Sequence, residues 1–171
     1  MKVIDLSQSI YTEMEVYPND PPVKIDIVHS YETDHWQLRS LQMGSHTGSH
    51  VDAFSHMHKN MANLDQIPLE RFFGMAQLVK LDQEWPKDIG LFFVETIDID
   101  YLDKIISFNP GFVGGNISDS LEKELLKREI ITYTGLVNLD LLPVLESFMF
   151  YGLPLKIKEG DGSPVRAIAI I

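Results

Sequence analysis

The sequence contains no cysteine. This excludes a disulfide framework and every thiolate metal site, so any bound ion must be held by imidazole or carboxylate. No apolar run approaches the roughly eighteen residues of a membrane span, and the opening MKVIDLSQSIYTEM lacks the continuous apolar stretch of a signal peptide. A cytoplasmic protein without membrane attachment is expected. Positive charge is also scarce, since 14 Lys and Arg against 25 Asp and Glu leave a formal net charge of -11. The basic residues are scattered, and a phosphate backbone would be repelled, so nucleic acid is not expected as a partner. Low-complexity tracts and internal repeats are absent too.

What is there suits one folded unit. A chain of 171 residues, 44% hydrophobic and 23% charged, can bury a sizeable core but is too short for two ordinary domains without a linker. The expectation is a single domain over 1–171. Residues 3–6 read as a short first strand. After the turn-forming PNDPP, the alternation of Val23, Ile25 and Ile27 predicts a half-buried strand over 23–30. A further extended segment over 36–43 leads into a run of histidines. IPLERFFG reads as a turn with a short helical piece, and AQLVKL and LFFVETI as buried strands.

Two helices follow. In IDIDYLDKIISF, residues Ile97, Leu102, Ile105, Ile106 and Phe108 approximate one helical face. In NISDSLEKELLKREI, Ser118 or Asp119 can cap a helix carrying Leu121, Leu125 and Leu126 on one side. IITYTGL, FYGLPLKI and VRAIAII are strand candidates, and EGDGSP is a turn signal. Strands outnumber helices, which predicts an α/β fold: a mixed domain with a substantial β-sheet and a few helices.

GSHTGSHVDAFSHMH, residues 44–58, holds four of the six histidines. A helix would place His46 and His50 together but turn Asp52 away, and Thr47, Gly48 and Ser49 are poor helix formers. An extended chain puts His50 and Asp52 on one face, about 7 Å apart at their α-carbons. His46 joins them only if the chain bends, and Gly48 stands where that bend is needed. The result is an open shell of two imidazoles and a carboxylate, which leaves room for water and substrate. Spacing alone does not separate such a metal site from a polar loop rich in histidine.

GSHTGSHVDAFSH resembles the signature His-x-Gly-Thr-His-x-Asp-x-Pro-x-His of the cyclase family of metal-dependent hydrolases, which includes bacterial kynurenine formamidase and isatin hydrolase. VIDLSQSI with EVYPNDPP is similar to the family's N-terminal strand and turn, IPLERFFG to the segment after the signature, and LPLKIKEGDGSPVRAIA to its C-terminal end. The resemblance implies a swivelling β/β/α-like fold, a homodimer or larger assembly, and a small-molecule substrate. It also implies that His46, His50 and Asp52 bind metal and that His56 is the general acid/base. Ser49 replaces the usual Thr and Phe54 the usual Pro, and neither change removes a ligand.

Two departures lie further on. Where formamidases carry a later histidine and glutamate that help bind a second metal, this chain has Glu122 and Thr134. Glu122 is able to ligate an ion, but Thr134 supplies no anionic oxygen. One divalent ion, zinc or manganese, is therefore expected in place of two. It would acidify water and polarise a carbonyl, with His56 passing a proton to the leaving amine. The expected activity is hydrolysis of a small N-formyl or cyclic amide. The alternative is a catalytically silent binding protein that keeps the motif. His58, Asp65 and Glu70 read as surface residues. Trp36 reads as a core residue or a stacking platform for an aromatic substrate, and Arg166 as an ion-pair anchor for the last strand.

Overall fold

A computed structural model describes all residues 1–171. The chain opens with strand β1 (Val3–Asp5), then forms an antiparallel pair, β2 (Lys24–His29) and β3 (Leu38–Gln42), joined through a single-turn helix α1 (Tyr31–Asp34). Next come β4 (His50–Asp52), β5 (Phe73–Leu78), β6 (Gly90–Ile97), helix α2 (Leu102–Phe108), β7 (Phe112–Ile117), helix α3 (Asp119–Lys127) and β8 (Ile131–Thr134). Strands β9 (Ser147–Tyr151), β10 (Gly162–Pro164) and β11 (Ile168–Ile170) complete it. No helix is long and apolar enough to cross a membrane.

Nine strands make one mixed sheet in the order β1-β11-β9-β5-β6-β7-β8-β4-β10, parallel from β5 to β8 and antiparallel elsewhere. The sheet curls, bringing the segment after β1 against the start of β4. Just before β4, Ser49 Oγ lies 3.3 Å from Leu6 O beyond the end of β1 and accepts from Gln8 N at 2.9 Å. The single mixed α/β domain expected from the sequence is thus what forms.

Period-2 alternation in β6 shows why the sheet is buried on both faces. Phe92 points into the curl and joins Phe72, Phe112, Tyr133, Phe148 and Phe150 in the larger core. Leu91 and Phe93 point the other way and pack with Ile105, Leu121 and Leu125 from the two helices. Helix α3 begins where the Ser118 hydroxyl accepts from Leu121 N, and its buried face includes Leu121, Leu125 and Leu126. Glu122 shares that face, which brings a carboxyl group into the interior.

Four local readings are corrected. The alternating stretch over 23–30 does form a strand, but β2 and β3 stand apart as a two-stranded arm with mostly exposed residues. Trp36 belongs to that arm: it is 50% exposed and stacks on His29 at 4.6 Å, so it is neither core nor a wall of the pocket described below. In FYGLPLKI the strand lies earlier, at β9, and Pro154 contributes only an isolated bridge to Val165. EGDGSP turns as expected, but its last three residues become β10. Strand β7 is an addition that its Gly-Gly pair hides; Gly114 lies against the Phe92 ring, where a Cβ would sit 2.6 Å from it.

Tyr133 ties the sheet together across the core. It is fully buried, and its hydroxyl lies 3.0 Å from both Phe72 O and Gly152 O. Tyr133→Phe leaves Gly152 O without a partner in the core, while Phe72 O keeps its bond from Gly152 N. The expected loss is about 1–3 kcal/mol of stability, read as a lower denaturation midpoint with an unchanged denaturant slope.

Candidate metal centre

Strand β4 supplies the framework of the site. His50 pairs with Thr134 of β8 and Pro164 of β10, and Asp52 pairs with Thr132 and Gly162. His50 and Asp52 project from the same face, as alternation requires, with His50 Nε2 3.8 Å from Asp52 Oδ1. Before them the chain bends at Gly48, whose φ of +65° lies in the left-handed region. That bend returns His46 to the strand: its Nδ1 lies 2.6 Å from Asp52 Oδ1 and its ring stands edge-on to His50 at 5.2 Å. Gly162 leaves the space His46 occupies, for a Cβ there would sit 2.3 Å from His46 Cε1.

The replacements within the motif have structural roles. Ser49 is buried, accepts from Gln8 N at 2.9 Å and donates to Gly135 O at 2.7 Å, so a hydroxyl suffices there. Phe54 is buried in the larger core and starts a 3-10 turn over Phe54–His56. That turn swings His56 back over the cluster, where its ring lies 3.9 Å from the His46 ring. His58 points away, its Nε2 2.6 Å from Lys123 O of α3, as a surface residue would. Asp65 accepts from Glu159 N, Glu70 is exposed, and Arg166 makes a two-pronged ion pair with Asp5.

Sequence reasoning missed Asp161. Its Oδ2 lies 3.0 Å from His46 Nε2 and 3.6 Å from His56 Nδ1, while Oδ1 accepts from Ser45 Oγ. The turn signal EGDGSP concealed it, because only the pairing of β10 with β4 carries this carboxylate to the histidines.

Electrostatics follow from this crowding. Burial disfavours charge on His46, but the Asp52 and Asp161 carboxylates outweigh it and raise His46 to about 9. Both of its nitrogens then donate. Burial depresses His50, and its Nδ1 lies 2.7 Å from Gly48 O, a bond that only an N–H can make. The lone pair is thereby fixed on Nε2, which accepts from Thr134 Oγ1 at 2.8 Å. Thr134 therefore orients the His50 ring where the resemblance to formamidases implies another carboxylate. Burial would raise Asp52, but hydrogen bonding from His46 and the charges of both histidines hold it below the ordinary carboxylate range. Asp161 falls to about 2 because its bonds to His46 and Ser45 outweigh its burial.

Glu122 reaches the same cavity from α3. Burial first, and the Asp52 charge second, push it up to about 8, and its Oε1 is buried with no hydrogen-bond partner. An orphaned buried carboxyl oxygen within the field of a second carboxylate calls for a cation. Donor atoms of His46, Asp52 and His56 lie within 4.8 Å of one another, so a metal-sized gathering is already present. That trio includes His56 where the sequence expectation has His50. The His50 lone pair, on Nε2 3.8 Å from Asp52 Oδ1, is taken by the Thr134 hydroxyl, which an ion bound there would displace. The cluster floors a cavity of about 440 Å³ lined also by Tyr17, Asp20 and Asp119.

Comparison with known proteins identifies the family. Residues 4–106 match the family described as "Putative cyclase". Kynurenine formamidase from Salinibacter ruber is 27% identical over 210 residues, covering 98% of this chain and 97% of its own. An uncharacterized protein of Methanocaldococcus jannaschii is 30% identical over 200 residues, with both chains covered completely. Among solved structures, isatin hydrolase A from Labrenzia aggregata superposes with a TM-score of 0.83 at 20% identity, covering 99% of this chain and 93% of that one. A predicted metal-dependent hydrolase from Bacillus stearothermophilus gives 0.78 at 22%, covering 98% and 97%. At these identities the structural likeness is one of fold, but the match over more than half of the sequence settles kinship: the chain belongs to the cyclase family.

Proposed function

We propose that this protein is a metal-dependent hydrolase of a small N-formyl or cyclic amide, with His46, His50 and Asp52 holding one divalent ion, zinc or manganese. The observation that carries the reading is the unpartnered, buried Glu122 oxygen in the cavity that Asp52 and three histidines also line. Imidazole with carboxylate suits borderline divalent metals. Glu122 is positioned to complete the shell or to accept from a water beside it. The relatives named kynurenine formamidase and isatin hydrolase supply the substrate class.

When bound, such an ion supplies Lewis acidity, which makes water more acidic and polarises an amide carbonyl. The chain's own groups do the rest. Gly48 O and Thr134 Oγ1 orient the His50 ring, and Thr132 Oγ1 donates to Asp52 Oδ2 at 3.3 Å. His56 has Nδ1 toward Asp161, which leaves Nε2 as the atom that takes a proton from water and returns it to the departing nitrogen.

Metal analysis is the first test. Protein reconstituted with zinc or manganese and then desalted should retain about one equivalent, and turnover of formanilide or isatin should vanish with chelator and return with metal. Retention below about half an equivalent of either ion would sink the proposal.

A further inference from the structure

Asp161 is anchored through both its backbone and its side chain. Its backbone O accepts from Ala53 N at 2.8 Å, one residue past β4, and on either side Gly160 O accepts from Leu64 N and Gly162 pairs with Asp52. Ser45 Oγ donates to Oδ1 at 2.9 Å, which leaves Oδ2 for the histidines. That one oxygen is shared, 3.0 Å from His46 Nε2 and 3.6 Å from His56 Nδ1, between rings whose centroids are 3.9 Å apart. The two nitrogens of His46 are thereby divided. Nδ1 faces Asp52 Oδ1 at 2.6 Å, a fellow member of the proposed ligand set, while Nε2 faces Asp161. A neutral imidazole that ligates through one nitrogen carries its hydrogen on the other, and the group accepting that hydrogen sets the orientation of the ring. A backbone carbonyl does this for His50, whose Nδ1 donates to Gly48 O. For His46 the acceptor is a side chain, the same one that faces His56.

We propose that Asp161 is a positioning residue shared by the two histidines: it commits His46 to bind metal through Nδ1, and it holds the His56 ring with Nε2 free for proton transfer. This rests on the hydrolase reading above and adds to it a residue that does not line the cavity. One carboxylate, in contact with neither the ion nor the substrate, thereby sets both metal affinity and turnover. The two effects are separable, since the first is read without any substrate and the second at saturating metal.

The test measures, on the full chain, the zinc dissociation constant by competition with a chelating indicator, and kcat and KM for formanilide at saturating zinc. Asp161→Ala should weaken zinc about 10–100-fold, the cost of removing the outer partner of a ligating histidine. In the same variant kcat should fall at least about tenfold with KM nearly unchanged, since a proton carrier is misplaced while substrate contacts remain. Asp161→Asn is able to turn its amide N–H toward Ser45 Oγ and its oxygen toward His46, so it should recover part of both losses. A role confined to anchoring the turn would lower thermal stability and move neither zinc affinity nor kcat. Zinc affinity of Asp161→Ala within about twofold of the wild type overturns the proposal, and an unchanged kcat at saturating zinc overturns its His56 half. An Asp161→Asn protein that is folded by circular dichroism yet takes up no zinc overturns it as well, by making Asp161 a ligand. If the wild type binds zinc but cleaves no amide, weakened binding by Asp161→Ala supports the role at His46 while the hydrolase reading alone fails. Wild-type protein that binds no zinc overturns both.

Discussion

Replacing His56 by alanine should lower turnover by about 10²–10⁴-fold while the protein keeps its full equivalent of metal. The size of the effect is that of removing a positioned proton carrier, and the unchanged metal content follows from where the side chain sits. His56 lies on a 3-10 turn above the cluster, 30% exposed, with its ring against that of His46 and its Nδ1 facing Asp161. His50 is in the opposite situation, largely buried on β4 with its ring fixed by Gly48 O at Nδ1 and Thr134 Oγ1 at Nε2, the latter nitrogen 3.8 Å from Asp52 Oδ1. His50→Ala should therefore lose the ion and, through it, all activity. Because His46, Asp52 and His56 are the donors that lie mutually within 4.8 Å, the paired variants discriminate sharply. If His56 is the third ligand, the metal contents reverse, with His56→Ala empty and His50→Ala loaded. Elemental analysis of both variants beside formanilide kinetics decides it.

The parts of this site that were legible in the sequence are those set by local geometry. His50 and Asp52 share a face because they are two residues apart on a strand, and Gly48 announces the bend that returns His46. Ser118 and the Leu121, Leu125 and Leu126 face mark α3 for the same reason. Family resemblance brought Glu122 into consideration, although nothing in its spacing told of a buried carboxyl with an orphaned oxygen. What was hidden depends on pairing between distant segments. Asp161 sits in a stretch rich in turn formers and joins the histidines only because β10 pairs with β4, more than a hundred residues earlier. The arm of β2 and β3 shows the converse, since its alternation reads as one buried face while the main sheet forms without it.

Metal uptake by the protein at pH 7 should release about two protons, and Glu122→Gln should reduce this to about one. In the metal-free chain, protons do the work of a cation: one sits on His46, raised to about 9 by Asp52 and Asp161 against its burial, and one on Glu122, raised to about 8 by burial and the Asp52 charge. Both folded values lie above their unfolded ones, near 6.5 and 4.3. The stability these groups contribute is thus complete below the unfolded values and is lost as pH rises through about 8 and then about 9. The metal-free protein should melt at lower temperature at pH 9 than at pH 6, and saturating zinc should offset that decline. Glutamine keeps the shape of Glu122 without its charge, so the metal-free variant should exceed the metal-free wild type at pH 9, by on the order of a few kcal/mol. The same variant should bind metal more weakly, because an anionic oxygen has been replaced by a neutral one. Apparent affinity of the wild type should rise roughly a hundredfold per pH unit below pH 8, and that of the variant roughly tenfold. Calorimetry in buffers of different ionisation enthalpy counts the protons directly. Equal release by both proteins would show that Glu122 is already ionised without metal, and the orphaned oxygen would then need a different cation to explain it.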